Sequence, residues 1–233
     1  MKVGIMQPYF MPYMGYFQLM NVVDTFVVYD DIQYTKKGWI NRNRFLVNGK
    51  DDFFSLPLKK DSDFLDIRDR QLSDSYQQDC EKLLRRIEQA YRKAPFFREV
   101  YPAVSECFTY HDHNLFQFIL HSIMRVKQLL GIETTITISS DLGIDRNLKG
   151  KDRVIATCIK LGSDHYINPI GGLKLYDKSE FLQKGIQLDF IKTMDITYRQ
   201  FNHDHVPFLS IIDVMMFNSQ AAIKGMLQDY RLE

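Results

Sequence analysis

Cysteine is scarce in this chain. Cys80, Cys107 and Cys158 stand far apart and form no C-x-x-C pair, which argues against a zinc ribbon or a disulfide framework and reads as ordinary thiols in a reducing compartment. Excess charge of either sign is lacking too. Thirty Lys and Arg against 29 Asp and Glu leave a formal net charge of +1, so no strong field argues for nucleic acid or an anionic membrane. The apolar run 3–6 is too short to cross a bilayer, and no signal peptide or transmembrane stretch is present. The expected location is therefore the cytoplasm, without membrane insertion. Neither G-x-G-x-x-G nor a Walker sequence occurs, and no serine or thiol lies in a recognisable nucleophile motif. What remains is an ordinary globular composition, 45% apolar and 25% charged over 233 residues, enough for one substantial core and expected to form a single domain. Its 13% aromatic share, mostly Phe and Tyr, favours a ligand-binding protein.

The chain is organised around residues 2–44. A strand is expected at 3–7, followed by a loop in which Pro8 and Pro12 keep the backbone out of helix. Gly15 permits a tight turn or a close backbone approach. A helix at 17–23 and a strand at 25–30 complete a βαβ unit, whose ligands sit beyond the carboxyl ends of the strands. Those ends carry Gln7 with Tyr9 and Asp30 with Asp31. The segment 32–44 follows, dense in amides, guanidinium groups and rings. Its Gln33, Trp39, Asn41, Arg42 and Asn43 supply flat faces and directional hydrogen bonds suited to a sugar nucleotide.

Asn48-Gly49 between β-rich runs predicts a hairpin with a type I′ turn within 41–60. Residues 73–131 read as a helical layer or subdomain, opened by a Ser75-x-x-Gln78 capping box and closed by Gly131 as a C′ residue. Strands at 134–139 and 165–168, a helix from 151 to 161, an Asp177-x-x-Glu180 cap and a strand at 187–192 then alternate. That alternation predicts an α/β sheet with parallel strands. Ser139 and Ser140 with Lys151 and Arg153 form a candidate phosphate-facing corner. Asn168 and Gly171-Gly172 before a helix form another, where backbone N–H groups can face an anion. Asp213 lies inside the apolar helix 210–217 and needs a partner, as a structural anchor or as a site carboxylate. The pairs His111/His113 and His203/His205 lack a matching third ligand, so no metal site is assigned.

Gln7-Pro8-Tyr9, Pro12, Gly15-Tyr16-Phe17, Asp24, Asp30-Asp31, Gln33-Tyr34 and Trp39-x-Asn41-Arg42-Asn43 together resemble the WbqC-like family of bacterial proteins. So do Leu161-Gly162, Tyr166, Gly171-Gly172, Tyr176, Gly185-Ile186, Tyr198 and Phe208-x-Ser210-Ile211-Ile212-Asp213. The likeness runs nearly end to end. The genes of that family lie mainly among those for O-antigen and other surface polysaccharides, so the resemblance implies a role in surface sugar biosynthesis; it implies no catalytic set. A looser likeness concerns fold: a Rossmann-like, mainly parallel sheet similar to that of nucleotidylyltransferases, whose H-x-G-H motif would fall at Tyr13-x-Gly15-Tyr16. Tyrosines at both histidine positions set adenylyl or cytidylyl transfer by the usual route in doubt.

The expected activity is transfer of an acyl or aminoacyl group to the amine of a nucleotide-linked sugar, a sugar N-acyltransferase in lipopolysaccharide assembly. No cofactor is assigned beyond an acyl donor of the acyl-CoA class. Asp31 is expected to face the ligand as base, and Asp30 to hold the scaffold against Arg42 or Arg44. Tyr9, Tyr13, Gly15, Tyr16, Trp39, Gly171, Gly172 and Tyr176 are expected beside the substrate. The competing readings are a degenerate nucleotidyltransferase and a non-catalytic partner of a polysaccharide assembly complex. The oligomeric state is left open.

Overall fold

In the computed structural model, which describes residues 1–233, the β-rich run after Met1 forms β1 (Lys2–Met6). Helix α1 (Met14–Val22) leads to β2 (Thr25–Val28). The hairpin β3 (Arg42–Val47) and β4 (Lys50–Ser55) follows, and then α2 (Tyr76–Tyr91), α3 (Phe97–Phe108) and α4 (Leu115–Leu130). The rest alternates as β5 (Thr135–Ile138), α5 (Gly150–Lys160), β6 (His165–Pro169), α6 (Lys178–Leu182) and β7 (Gln187–Thr193). It ends with α7 (Ile211–Phe217), α8 (Gln220–Met226) and β8 (Tyr230–Leu232).

Six strands form one sheet in the order β5-β2-β1-β6-β7-β8. All pairs are parallel except β7 with β8, so the four strands expected to be neighbours are neighbours. Period-two alternation divides their side chains between two layers. Phe26, Val28, Ile167 and Ile191 enter the larger core under α1 to α4, α7 and α8. Val3, Ile5, Val27, Tyr166, Leu188 and Phe190 enter a smaller one under α5 and α6. The molecule is thus a mixed α/β fold with helices on both faces. The chain moves outward from β1 to β2 and β5, then returns to β6 on the other side of β1. Because these five strands are parallel, the carboxyl ends of β1, β2, β5, β6 and β7 lie on one edge, and that edge carries the loops of interest.

The hairpin forms its own two-stranded sheet, with Asn48 at φ 51° and Gly49 at φ 77°, the two positive values a type I′ turn needs. Some local expectations are corrected. Helix α1 starts at Met14, three residues early, so Gly15 lies within its first turn. Ser75 does not cap α2; its hydroxyl donates to Asp79 at 2.8 Å. Asp177 does cap α6 by accepting from the Ser179 amide at 2.8 Å, whereas Glu180 turns to Lys151. Gly131 ends α4 in the left-handed region as expected. No sequence pattern foretold α8 or β8.

Candidate functional site

Strand β2 stops at Val28, so the alternation that should separate Asp30 from Asp31 has lapsed. Both carboxylates converge on Ser139, whose Oγ lies 2.9 Å from Asp30 Oδ1 and also bonds Asp31 Oδ1. Ser140 donates to Asp30 through its amide at 3.0 Å and its hydroxyl at 2.8 Å. Arg153, in the first turn of α5, pairs with Asp31 Oδ2 and lies 5.1 Å over the Tyr29 ring. Asp30, Asp31, Ser139 and Arg153 are all buried. Asp30 is therefore held by two serines, not by Arg42 or Arg44. Asp31 is half of a buried ion pair. Burial raises the Tyr29 phenol, opposed by Arg153. The donors expected to meet a phosphate here meet the chain's own carboxylates, and Lys151 likewise pairs with Glu180.

The 7–13 loop is clamped from two sides. Asn43 Nδ2 donates to the Met11 carbonyl at 2.8 Å, and Ser210 Oγ donates to the same oxygen at 2.7 Å. The Ile211 amide adds a bond to Pro12 at 2.8 Å. Tyr16 is core, its phenol donating to the Gln7 carbonyl at 3.2 Å, and burial holds it well above the ordinary phenol range. Asn41 accepts from Tyr34 and donates to the Leu56 carbonyl, both at 2.8 Å. Arg42 bonds the Gly38 and Lys37 carbonyls and covers Phe53 and Trp39 at 5.3 and 5.7 Å. The polar groups of this stretch shape their own loops first.

What those loops enclose is a cleft of 260 Å³ lined by Tyr9, Pro12, Tyr13, Trp39, Asn43, Arg44 and Phe208. Trp39 is 41% exposed and stacks on Phe53 at 6.2 Å. Arg44 bonds Asp51 at 2.9 Å and the Phe208 carbonyl at 3.3 Å, lies 5.7 Å over Trp39, and keeps a buried Nε–H without a partner. Burial raises both Tyr9 and Tyr13, so both phenols are neutral hydrogen-bonding groups at ordinary pH. Flat faces around one guanidinium suit a ring that carries negative charge.

A second cleft of 430 Å³ shares Tyr13 and Phe208 with the first. Its walls come from the end of β7 and the segment after it (Thr193, Met194, Asp195, Ile196), from Tyr198 and His205, from Pro207 and Leu209, and from Val214 of α7. Gly15 makes this partition possible. A Cβ there would stand 2.5 Å from the Tyr13 ring and 2.6 Å from Thr193 Oγ1. Behind the wall Asp213, fully buried, accepts from Tyr91 at 2.8 Å, Tyr198 at 2.7 Å and Gln200 at 2.7 Å. Burial holds its carboxyl above the usual range despite those three bonds. Its contacts with Tyr91, Tyr198 and Gln200 are those of a structural anchor.

The first cleft thus gathers Tyr9, Tyr13, Trp39 and Asn43 from the expected binding residues. Gln7, Asp31 and Gly172 share the same sheet edge but do not line that cleft with them, nor do Asn41 and Arg42. Gln33 is exposed and donates to the Asp63 carbonyl at 2.9 Å. Asn168 accepts from Tyr166 at 2.8 Å and donates to the Pro169 carbonyl at 3.0 Å. It lies so close over Gly172 that a Cβ there would come within 1.8 Å of Nδ2; Tyr176 packs beside Tyr166 and Phe181, while Gly171 faces open space. His111 bonds Gln77 at 2.6 Å and His113 packs edge-on against Tyr76. No three His, Cys, Asp or Glu side chains converge as metal ligands. Sequence reasoning missed Pro12, Arg44 and Phe208 as cleft residues, and His205 as part of a wall. Phe208 sits at φ 56°, a left-handed value that bulky residues rarely adopt and that no pattern announces. The His203-Asp204-His205 triplet was the available signal.

The chain matches the model of the WbqC-like protein family over residues 7–225. It is 27% identical over 223 residues, 93% of each chain, to a protein of Mycobacterium tuberculosis (strain ATCC 25618 / H37Rv) named uncharacterized protein Rv1507c. No solved structure matches it.

Proposed function

The chain belongs to the WbqC-like protein family, and on that premise we propose that it is a transferase of surface polysaccharide (O-antigen) biosynthesis, adding an acyl or aminoacyl group to the amine of a nucleotide-linked sugar. The observation that carries this reading is the cleft of Tyr9, Tyr13, Trp39 and Arg44 beyond the carboxyl ends of the strands. Its rings offer faces to a base or a pyranose, and Arg44, paired with Asp51 but with its Nε–H unpartnered, offers a donor to a phosphate that competes for that pair. Transfer is direct. Burial pushes the thiols of Cys80, Cys107 and Cys158 up to about 12, far from the thiolate that a covalent route through cysteine requires. The acyl donor is of the acyl-CoA class. Asp30 and Asp31 hold the sheet edge around the site.

A melting experiment tests the reading. At about 100 times its Kd a ligand adds roughly 2.7 kcal/mol, a rise of about 5–10 °C for a chain of this size. UDP-glucosamine should give a rise of that order in the wild type and little in Trp39→Ala. No rise with nucleotide-linked amino sugars, or an equal rise in Trp39→Ala, removes it.

One observation favours a second reading. Numbered among themselves, the sheet strands run 3-2-1-4-5-6, the order of doubly wound, Rossmann-like folds, and this supports a nucleotide-dependent enzyme related to nucleotidylyltransferases. Stabilisation by a nucleoside triphosphate with magnesium, and none by the nucleotide sugar, would select it.

A further inference from the structure

Asp30 and Asp31, beyond the carboxyl end of β2, are already engaged, Asp30 with Ser139 and Ser140 and Asp31 with Arg153. Asp195 lines the second cleft, but its carboxylate is exposed and no hydrogen bond positions it, whereas an amine nucleophile needs a positioned proton acceptor. His205 lines the second cleft, and its Nδ1 lies 3.2 Å from the Tyr198 carbonyl oxygen. A carbonyl only accepts, so Nδ1 carries the hydrogen. The neutral ring then has its lone pair on Nε2, and Nε2 makes no hydrogen bond to the protein. The ring packs edge-on against Tyr198 at 4.9 Å.

The loop that bears this histidine is held on both sides. Tyr198 is tied to Asp213 through its phenol. Val206, the residue after His205, is gripped at both backbone groups by the fully buried amide of Gln200: its N–H donates to Oε1 at 2.7 Å and its carbonyl accepts from Nε2 at 3.1 Å. Gln200 also donates to Asp213. A buried carboxylate, through Oδ1, and a buried amide therefore hold the segment 198–206. The ring they present keeps one basic nitrogen open.

Resting on the transferase reading above, the geometry points to His205 Nε2 as the general base of the reaction. The two clefts lie on either side of the Tyr13 and Phe208 side chains that line both and are its two substrate subsites, amine and acyl group meeting over the rim of that shared wall. The nucleotide-linked sugar occupies the aromatic cleft with its amine toward the Tyr13–Phe208 wall. The activated acyl donor occupies the second. The amine nitrogen attacks the acyl carbonyl carbon; the N–C bond forms and the bond to the leaving group breaks with its electron pair. The amine proton passes to Nε2. For a thioester donor the leaving group is the thiolate, which takes up that proton or one from water. Correct placement of the two partners and a positioned base are what such a step requires.

The test is carbethoxylation of the six histidines with diethyl pyrocarbonate, read by peptide mass spectrometry. It is run on the intact protein with and without UDP-glucosamine and acetyl-CoA together. His205 should be modified in the free protein and slowed about tenfold or more by the pair, while His111 and His203 are unaffected. Alongside, His205→Gln should keep the melting rise with UDP-glucosamine while lowering kcat by roughly the 10²–10⁴-fold of a lost general base, with KM little changed. Resistance of His205 to the reagent overturns the assignment. So does unaltered modification in the presence of a probe pair that raises the wild-type melting temperature, or wild-type turnover in His205→Gln. A wild type whose melting temperature no nucleotide sugar raises overturns the transferase reading instead, and the base assignment falls with it.

Discussion

Asp31 and Arg153 show how one contact redirects a functional reading. In sequence, an acidic pair at a strand end beside an amide-rich loop suggests a base facing substrate. In the fold, Asp31 is 7% exposed and Arg153 6%, and each is the other's partner. Removing one member of a buried pair leaves an uncompensated charge, at a cost of about 3–5 kcal/mol. Asp31→Asn should therefore destabilise strongly, and adding Arg153→Gln should recover much of the loss, a coupling that a double-mutant cycle in urea measures. An Asp31→Asn protein that melts like the wild type yet has lost turnover would return that carboxylate to the chemistry. Asn41 and Asn43 teach the same point. Their side chains suggest recognition, but Asn41 serves Tyr34 and Leu56 and Asn43 serves Met11.

At the scale of elements, helix α1 carries the sharpest consequence. Glycine inside a helix costs about 1 kcal/mol relative to alanine, so propensity alone predicts that Gly15→Ala stabilises. The close approach of Tyr13 and Thr193 to the missing Cβ reverses that sign, because overpacking a fitted contact costs about 1–3 kcal/mol. Gly15→Ala should lower the melting temperature and also abolish the rise with UDP-glucosamine, since the displaced Tyr13 ring is the wall shared by both clefts. A stabilised variant with intact binding would remove Tyr13 from the site. The β3–β4 hairpin is the contrasting case. Its Asn48-Gly49 turn is local chemistry and was legible outright, whereas its packing beneath Tyr91, whose phenol accepts from the Leu46 amide at 2.7 Å, was not.

For the whole molecule, Asp213 ties α2, α7 and the segment 198–206 into one buried node, and this gives stability a defined pH dependence. Burial raises its carboxyl above the unfolded value, so between the unfolded and folded pKa values the native state binds more protons than the unfolded chain. Its contribution to stability is accordingly greatest below the unfolded value and falls as pH rises through that window. Asp213→Asn removes this slope. The melting temperature of the variant minus that of the wild type should therefore move in the variant's favour as pH rises above the ordinary carboxylate range; a difference constant with pH would show that Asp213 does not titrate in the fold. The sequence alone determined the alternation of strands and helices, the parallel sheet, the hairpin and the family likeness. Each rests on short-range periodicity, turn chemistry or motif spacing, which the chain states locally. Only the tertiary structure decided where β1 and β6 meet, which polar groups were already spent on one another, and which side chains face open space. Those outcomes depend on pairs far apart in the chain: Asp31 with Arg153, Tyr91 and Tyr198 with Asp213, Asn43 and Ser210 with Met11. A buried polar group must find a partner wherever the fold supplies one, and residue type cannot say whether that partner is the protein or its ligand.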